Sequence, residues 1–271
     1  PEKRPSLLSI PLDDLPRIDP IGVVGSLIIA GEELPDEAID TFFRLAHGEK
    51  SKAVLLILDN EQSTQATTQR LVSHSDTIDG AELRLVRLNG KNSIANTDWT
   101  QLLTDATGLW IAGGREESFQ QLAQNDVARI ALHNFVEQKK VIGANEHGGA
   151  IFADKTFVGE TSDLIGDGTL ALLPESLIDL QASQQESPSR IEHALQIQRH
   201  RIGFEIPRNA AMIVRGRRIS KVGEGTVRVR RFAGDEESIA EIDLESDSDV
   251  VDLIALRRAA RDGMSGYPAQ T

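Results

Sequence analysis

The sequence predicts an α/β protein with a mostly parallel central sheet covered by helices on both faces. Three observations predict it. Short apolar, β-rich runs alternate with helix-compatible segments from residue 22 to residue 150. Several of those runs close in glycine turns. One run, residues 81–89, alternates apolar and polar with period two, as an edge strand with one wet face does.

The elements follow in order. Residues 1–20 carry Pro1, Pro5, Pro11, Pro16 and Pro20 and predict an extended arm. "GVVGSLIIAG" (22–31) is the first strand. In "LPDEAIDTFFRLAHG" Pro35 fits a first helical position, acids fill the first turn, His47 falls in the last turn and Gly48 closes it. "KAVLLILDN" (52–60) is a buried strand, 62–74 a polar helix and 99–105 a short helix. "TGLWIAGG" (107–114) is a strand entering a glycine turn, 116–138 is helical in one piece or two, and "KVIGAN" (140–145) is another strand. Beyond Ala150 the pattern changes. "GTLALLPESLIDL" predicts a strand, a turn at Pro174 and a second extended piece, and a helix runs over 190–199. "AAMIVRGRRISKVGEGTVRVRRF" predicts C-terminal β-hairpins divided at Gly216 and at Gly223–Gly225. A final helix runs from Ser248 as N-cap to Asp262 and stops at Gly263; Val250, Val251, Leu253 and Ile254 suit docking. The organisation expected is an arm (1–20), an α/β domain (21–234) and an acidic C-terminal segment (235–271) docked on it.

The balance of 29 Lys and Arg against 42 Asp and Glu gives a net charge of −13. Such a chain repels phosphates, which argues against nucleic acid and favours a cationic ligand or partner. Of the two basic clusters, residues 215–218 and 228–231, the second reads as one solvated strand face. There is no cysteine, so thiol catalysis, thiolate metal sites and disulfides are excluded. No apolar run reaches the roughly 20 residues of a membrane span. The chain opens on Pro1, which leaves both a cytoplasmic and an exported, leader-trimmed location open.

Ligands of parallel sheets sit beyond the carboxyl ends of the strands, where the turn at Gly113 and the tip Glu146–His147 both fall. The spacing of Gly22, Gly25 and Gly31 is not a dinucleotide fingerprint and no phosphate loop occurs, so no cofactor is expected. The six histidines show no i, i+4 ligand pair, so no metal is assigned. In "VIGANEHGGA" (141–150) a strand runs through a tight turn into a glycine-flanked helix start. That is the setting of a nucleophile elbow, but its tip holds a carboxylate and an imidazole and neither Ser nor Cys.

These residues resemble the cyanophycinase and peptidase E family of serine peptidases, in order from about Gly22 to Arg230. "GSLIIAGEE" resembles the family's opening strand, and "GLWIAGGRE" its strand ending in Gly-Gly-Asp-Gln, with Gly113 and Gly114 matching. "NEHGGA" resembles its elbow, Gly-Thr-Ser-Ala-Gly-Ala. "LLPESLIDLQASQ" resembles its Leu-Leu-Pro followed by Asp-Gln-His-Phe-Ser-Gln, and "IGFEIPRNAAMIVRGRRISKVGEGTVRV" its Gly-Ile-Asp-Glu segment and hairpin. The resemblance implies a three-layer α/β/α sandwich, flavodoxin-like and related to class I glutamine amidotransferases. It also implies hydrolysis of peptide bonds beside aspartyl residues, and a homodimer.

Carried over, the nucleophile falls on His147 and the next residue on Gly148. The family histidine falls on Gln181, with Asp179 before it and Ser183 and Gln184 after. Arg115 and Glu116 take the places of Asp and Gln in Gly-Gly-Asp-Gln. Glu205 fits the acid, and Arg190 matches a substrate-gripping arginine. An amide at 181 cannot act as a general base, and an imidazole at the elbow has no partner base there. The expectation is therefore a protein without serine-peptidase activity that binds a peptide or a cationic ligand. The alternatives are a hydrolase of cyanophycin or aspartyl peptides, or a re-purposed enzyme in which His147, Glu146, Glu116 and Asp179 act as an acid–base set or meet on a metal.

Overall fold

The structure, a computed structural model, describes residues 22–58, 62–88, 93–113, 115–157, 164–165, 169–180, 189–233 and 238–262. The expected arm, Gly114, Gln181, Ser183, Gln184 and the helix stop at Gly263 lie outside the described residues.

Strands β1 (Val23–Ala30), β2 (Lys52–Ile57), β3 (Glu82–Arg87), β4 (Gly108–Ala112) and β5 (Val141–Asn145) pair in parallel in the order β1-β5-β4-β2-β3. Helices α1 (Asp36–Leu45), α2 (Gln62–Ser75), α3 (Trp99–Leu103), α4 (Glu116–Gln124) and α5 (Asp126–Glu137) alternate with them. Parallel neighbours need long crossovers, and these helices are the crossovers. Successive side chains serve opposite faces. Leu27, Ile29, Leu56, Ile111 and Ile142 enter one core, while Ile28, Leu55, Trp110 and Val141 enter the other with Phe42 and Phe43 of α1. Burial on both faces is why these runs are apolar throughout. Only β3, at the sheet edge, stays half wet.

Local chemistry sets the helix limits. Asp98 Oδ1 accepts the Gln101 N–H and starts α3. Asn125 breaks the 116–138 stretch in two and caps α5 through the Ala128 N–H. Pro35 is the N-cap of α1 rather than its first residue. The helix ends at Leu45, and His47 itself takes the left-handed turn (φ 79°) expected of a glycine.

After β5 come α6 (His147–Ala150), β6 (Ala153–Phe157), β7 (Leu164–Ile165), β8 (Leu173–Asp179), α7 (Arg190–Ile197) and β9 (Ile202–Glu205). The chain then forms β10 (Ala210–Gly216), β11 (Arg218–Gly223), β12 (Val227–Phe232), β13 (Ile239–Leu244), β14 (Val251–Asp252) and α8 (Leu253–Asp262). The hairpin β10–β11 extends the central sheet beyond β1, with β14 at its edge. The hairpin β12–β13 does something the sequence did not announce: it joins a second, six-stranded sheet of order β13-β12-β9-β8-β6-β7. Val227, Val229, Ile178 and Phe204 turn the inner face of this sheet into the same core as α5. On its outer face α7 packs Ile191, Ala194 and Leu195 against Phe157 and Leu177. The Ser189–Glu192 capping box fixes the start of α7.

Three further expectations need correction. Pro174 is no turn between two strands; it lies inside β8, where the register against β6 slips between Ala153 and Lys155 and Glu175 adopts φ 58°. The bulge absorbs the proline, and Arg257 Nη2 of α8 donates to the Pro174 carbonyl. The basic run at 228–231 is no solvated face, because Arg230 is buried beneath α7 among carboxylates. The last helix starts at Leu253, not after Ser248, and Val250 is exposed. Asp252 caps it, its Oδ1 accepting from the N–H groups of Ile254 (2.9 Å) and Ala255 (3.0 Å).

The Ala255 hydrogen bond, with the neighbouring Arg217 guanidinium, lowers the Asp252 carboxyl below its ordinary 3.8. A depressed carboxyl stabilises the fold above the unfolded pKa, and the gain is lost as pH falls through the folded value. Asp252→Ala is expected to cost about 1 kcal/mol at neutral pH. The difference from wild type should shrink below about pH 4, as urea titrations at the two pH values will show.

Candidate functional site

The carboxyl ends of β1, β4 and β5 meet at the centre of the large sheet. At the end of β5 the chain turns into α6 through Glu146, whose backbone stands at φ 52°, ψ −143°. For a residue with a Cβ that conformation costs of order 1–3 kcal/mol and persists only where the surroundings enforce it. They do. The Glu146 N–H donates to the Gly31 carbonyl of the neighbouring strand end at 3.3 Å, and the Glu146 carbonyl accepts the Gly149 N–H at 2.9 Å. The strained apex is thus Glu146, one residue before the position the resemblance gives the nucleophile; His147 is the first residue of α6.

The glycines after the apex seat α6. A Cβ on Gly148 would lie 2.4 Å from the Phe119 ring of α4, and one on Gly149 would lie 2.8 Å from Ile29 and 3.1 Å from Leu180. The elbow is wedged between α4, β1 and the end of β8. Beneath it lies a polar network that no sequence motif signalled. Asn145 is 1% exposed. Its Oδ1 accepts the Trp110 indole N–H (3.3 Å), and its Nδ2 donates to Thr67 Oγ1 (3.2 Å) and Glu146 Oε1 (3.4 Å). A buried amide satisfied on both sides is fixed in one orientation. The available signal was an asparagine ending an otherwise apolar strand.

The remaining candidates fall into two groups. Gly113, Arg115 and Glu116 follow β4 on the elbow side. Glu116 accepts from Gln120 Nε2 one turn along α4 (2.8 Å), and Arg115 stands 3.7 Å from Glu117. Asp179, Arg190 and Glu205 belong to the outer face of the second sheet. The Asp179 carboxylate takes two hydrogen bonds from Arg190, at 2.5 Å from Nη2 and 3.2 Å from Nε. Arg190 also lies 4.9 Å from the Phe157 ring centroid. Such a bidentate pair positions both partners firmly. Glu205, the register neighbour of Asp179, stands 3.2 Å from Arg230 Nε. These acids therefore face α7, whereas Leu180 turns towards α6. Among the described residues no group of three or more His, Asp or Glu is placed to hold a metal ion, and no helix is long and apolar enough to cross a membrane.

A mostly parallel sheet with a strained strand-to-helix elbow at its centre is an arrangement that α/β-hydrolase folds also contain. Comparison with solved structures narrows it. The chain resembles a peptidase from an acI-B1 Actinobacterium, with a TM-score of 0.65 at 14% identity over 85% of this chain and 98% of that one. It also resembles a candidate peptidase E from Listeria monocytogenes EGD-e, with a TM-score of 0.50 at 14% identity over 74% and 99% of the two chains. No family model and no curated protein matches the sequence. The chain thus has a peptidase E-like α/β fold, in accord with the fold the sequence predicts.

Proposed function

We propose that this chain is a peptidase E-like protein without serine-peptidase chemistry, whose cleft binds a peptide or cationic ligand rather than cutting it. One observation carries this reading: the elbow's apex presents the Glu146 carboxylate, followed by the His147 imidazole, where the chemistry needs an activated hydroxyl. The other positions agree. Residue 181 is an amide. Asp179 and Glu205 are committed to Arg190 and Arg230, so Arg190 is a structural partner of Asp179 before it is a grip on any substrate. Loss of single triad members alone removes most of the chemical rate. The same reading carries the homodimer, which sedimentation would measure.

The test is hydrolysis. Purified protein is expected to release no product from cyanophycin or from β-aspartyl and N-terminal aspartyl dipeptides. Turnover that disappears in Glu146→Gln or His147→Ala would overturn the reading in favour of re-purposed acid–base chemistry. The strained apex is the observation that keeps that alternative in view. An attempt to restore the serine chemistry belongs at the strained residue, as Glu146→Ser with Gln181→His.

A further inference from the structure

We propose that Glu146 is the specificity-determining residue of the cleft, its carboxylate receiving the primary ammonium or guanidinium group of a lysine- or arginine-bearing peptide. The proposal rests on the binding reading above and names the group that does the binding. Four observations carry it. First, the strained φ 52°, ψ −143° falls on a residue with a long charged side chain, although glycines stand close by at 148 and 149 and a glycine here would relieve the strain. A backbone outlier at a strand's carboxyl end, in the cleft of such a fold, is the mark of a side chain that must be presented in one place.

Second, Asn145 hands one amide hydrogen to Glu146 while Trp110 and Thr67 hold the rest of that amide, so groups from β4, α2 and β5 together orient the carboxylate. Third, the main-chain hydrogen bond from Glu146 to Gly31 brings the elbow beside the turn that carries Glu32 and Glu33. Those two carboxylates share the single guanidinium of Arg208, at 3.1 and 2.9 Å, which leaves this rim net negative. Fourth, Arg190, the cation the resemblance offers for gripping an anionic substrate, is engaged by Asp179. A rim of this sign concentrates cations and repels acidic peptides, as the charge of −13 does over the whole chain. The charge-assisted contact at the apex then selects a positive side chain over a neutral one of similar length.

Calorimetric titration of the full chain with acetyl-Ala-Lys-Ala-amide, its Arg counterpart and its neutral Gln counterpart tests the proposal at low salt. The Lys and Arg peptides are expected to bind about tenfold or more tightly than the Gln peptide. Glu146→Gln should bring all three to the affinity of the neutral one. Glu146→Gly should lose the same discrimination while raising Tm by about 2–4 °C, because strain is released as function is lost. A merely structural Glu146 would lower Tm in that variant. Equal affinity of wild type for the three peptides, absence of binding to all of them, unchanged discrimination in Glu146→Gln, or a fall in Tm in Glu146→Gly each overturns the proposal. Hydrolysis of aspartyl dipeptides by the same preparation would instead overturn the binding reading beneath it, and is measured separately.

Discussion

Replacing Arg230 by Met is expected to destabilise the protein by about 3–5 kcal/mol, the cost of leaving a buried charge without its partner. Arg230 is the hub of the second sheet. From β12 it reaches Glu192 of α7 through Nη1, Glu205 of β9 at 3.2 Å through Nε, and Glu241 of β13 at 2.9 Å through Nη2. The exposed members matter least: Glu241 is 39% exposed and water screens it. Glu205 decides the effect, since its side chain is only 4% exposed. Arg230→Met should therefore be largely rescued by Glu205→Gln, and hardly at all by Glu241→Gln. Urea unfolding of the two singles and the doubles gives the coupling energies directly. A cost under about 1 kcal/mol for Arg230→Met, or no rescue by Glu205→Gln, would remove the hub from the account of the fold.

This arrangement bears on function as well as stability. The resemblance assigns Glu205 the acid of a triad. An acid in that role orients an imidazole, but here residue 181 supplies none, and one carboxylate oxygen of Glu205 belongs to an arginine ion pair. The same holds at Asp179, where Arg190 occupies both oxygens. The outer face of the second sheet thus has a structural rationale for its charges that needs no substrate.

How far the sequence discloses this fold follows from what each residue reports. Parallel strands buried on both faces need apolar side chains at every position, so "GSLIIA", "KAVLLI" and "GLWIA" are visible as strands without any partner in view. The edge position of β3 is visible for the opposite reason, since polar residues interrupt the run and all six of its residues stay exposed or half-buried. The second sheet is invisible because its pairings are long-range. A hairpin such as β12–β13 looks the same whichever sheet it joins, and β9 meets β8 across the whole of α7. Arg228, Arg230 and Arg231 look solvated because charge at alternate strand positions normally is. Only the placement of Glu192 and Glu205 against Arg230 reveals that this one of the three is buried. The elbow was legible as a turn with Glu146 and His147 at its tip. Which of the two carries the strain depends on a backbone dihedral, and composition does not report that.

The second large effect lies under the elbow. Gly143→Ala is expected to cost about 1–3 kcal/mol, the range for forcing extra volume into a packed core. Gly143 of β5 lies opposite Trp110 of β4 in the parallel ladder, and its missing side chain is where the indole rests. A Cβ there would stand 2.3 Å from both Cε3 and Cζ3 of the ring. The ring cannot move away freely. Trp110 is fully buried, packs edge-on against Phe42 at 5.3 Å between centroids, and donates its N–H to Asn145. Any shift that clears the new methyl pulls the indole off Asn145 and loosens the amide that steadies Glu146. Gly143→Ala should therefore weaken the binding of the lysine peptide as well as the fold, although residue 143 touches no ligand. Trp110→Phe removes the clash and the donor together. Its own cost should be about that of one buried hydrogen bond plus the lost ring volume. Added to Gly143→Ala, it should cost less than the sum of the two single changes. Unfolding free energies across that cycle, with peptide affinity measured on the same four proteins, separate the two roles of the glycine. If stability recovers in the double variant while affinity does not, the indole N–H is what transmits the packing of β4 and β5 to the apex. If affinity recovers with stability, Asn145 needs only the space and not the hydrogen bond.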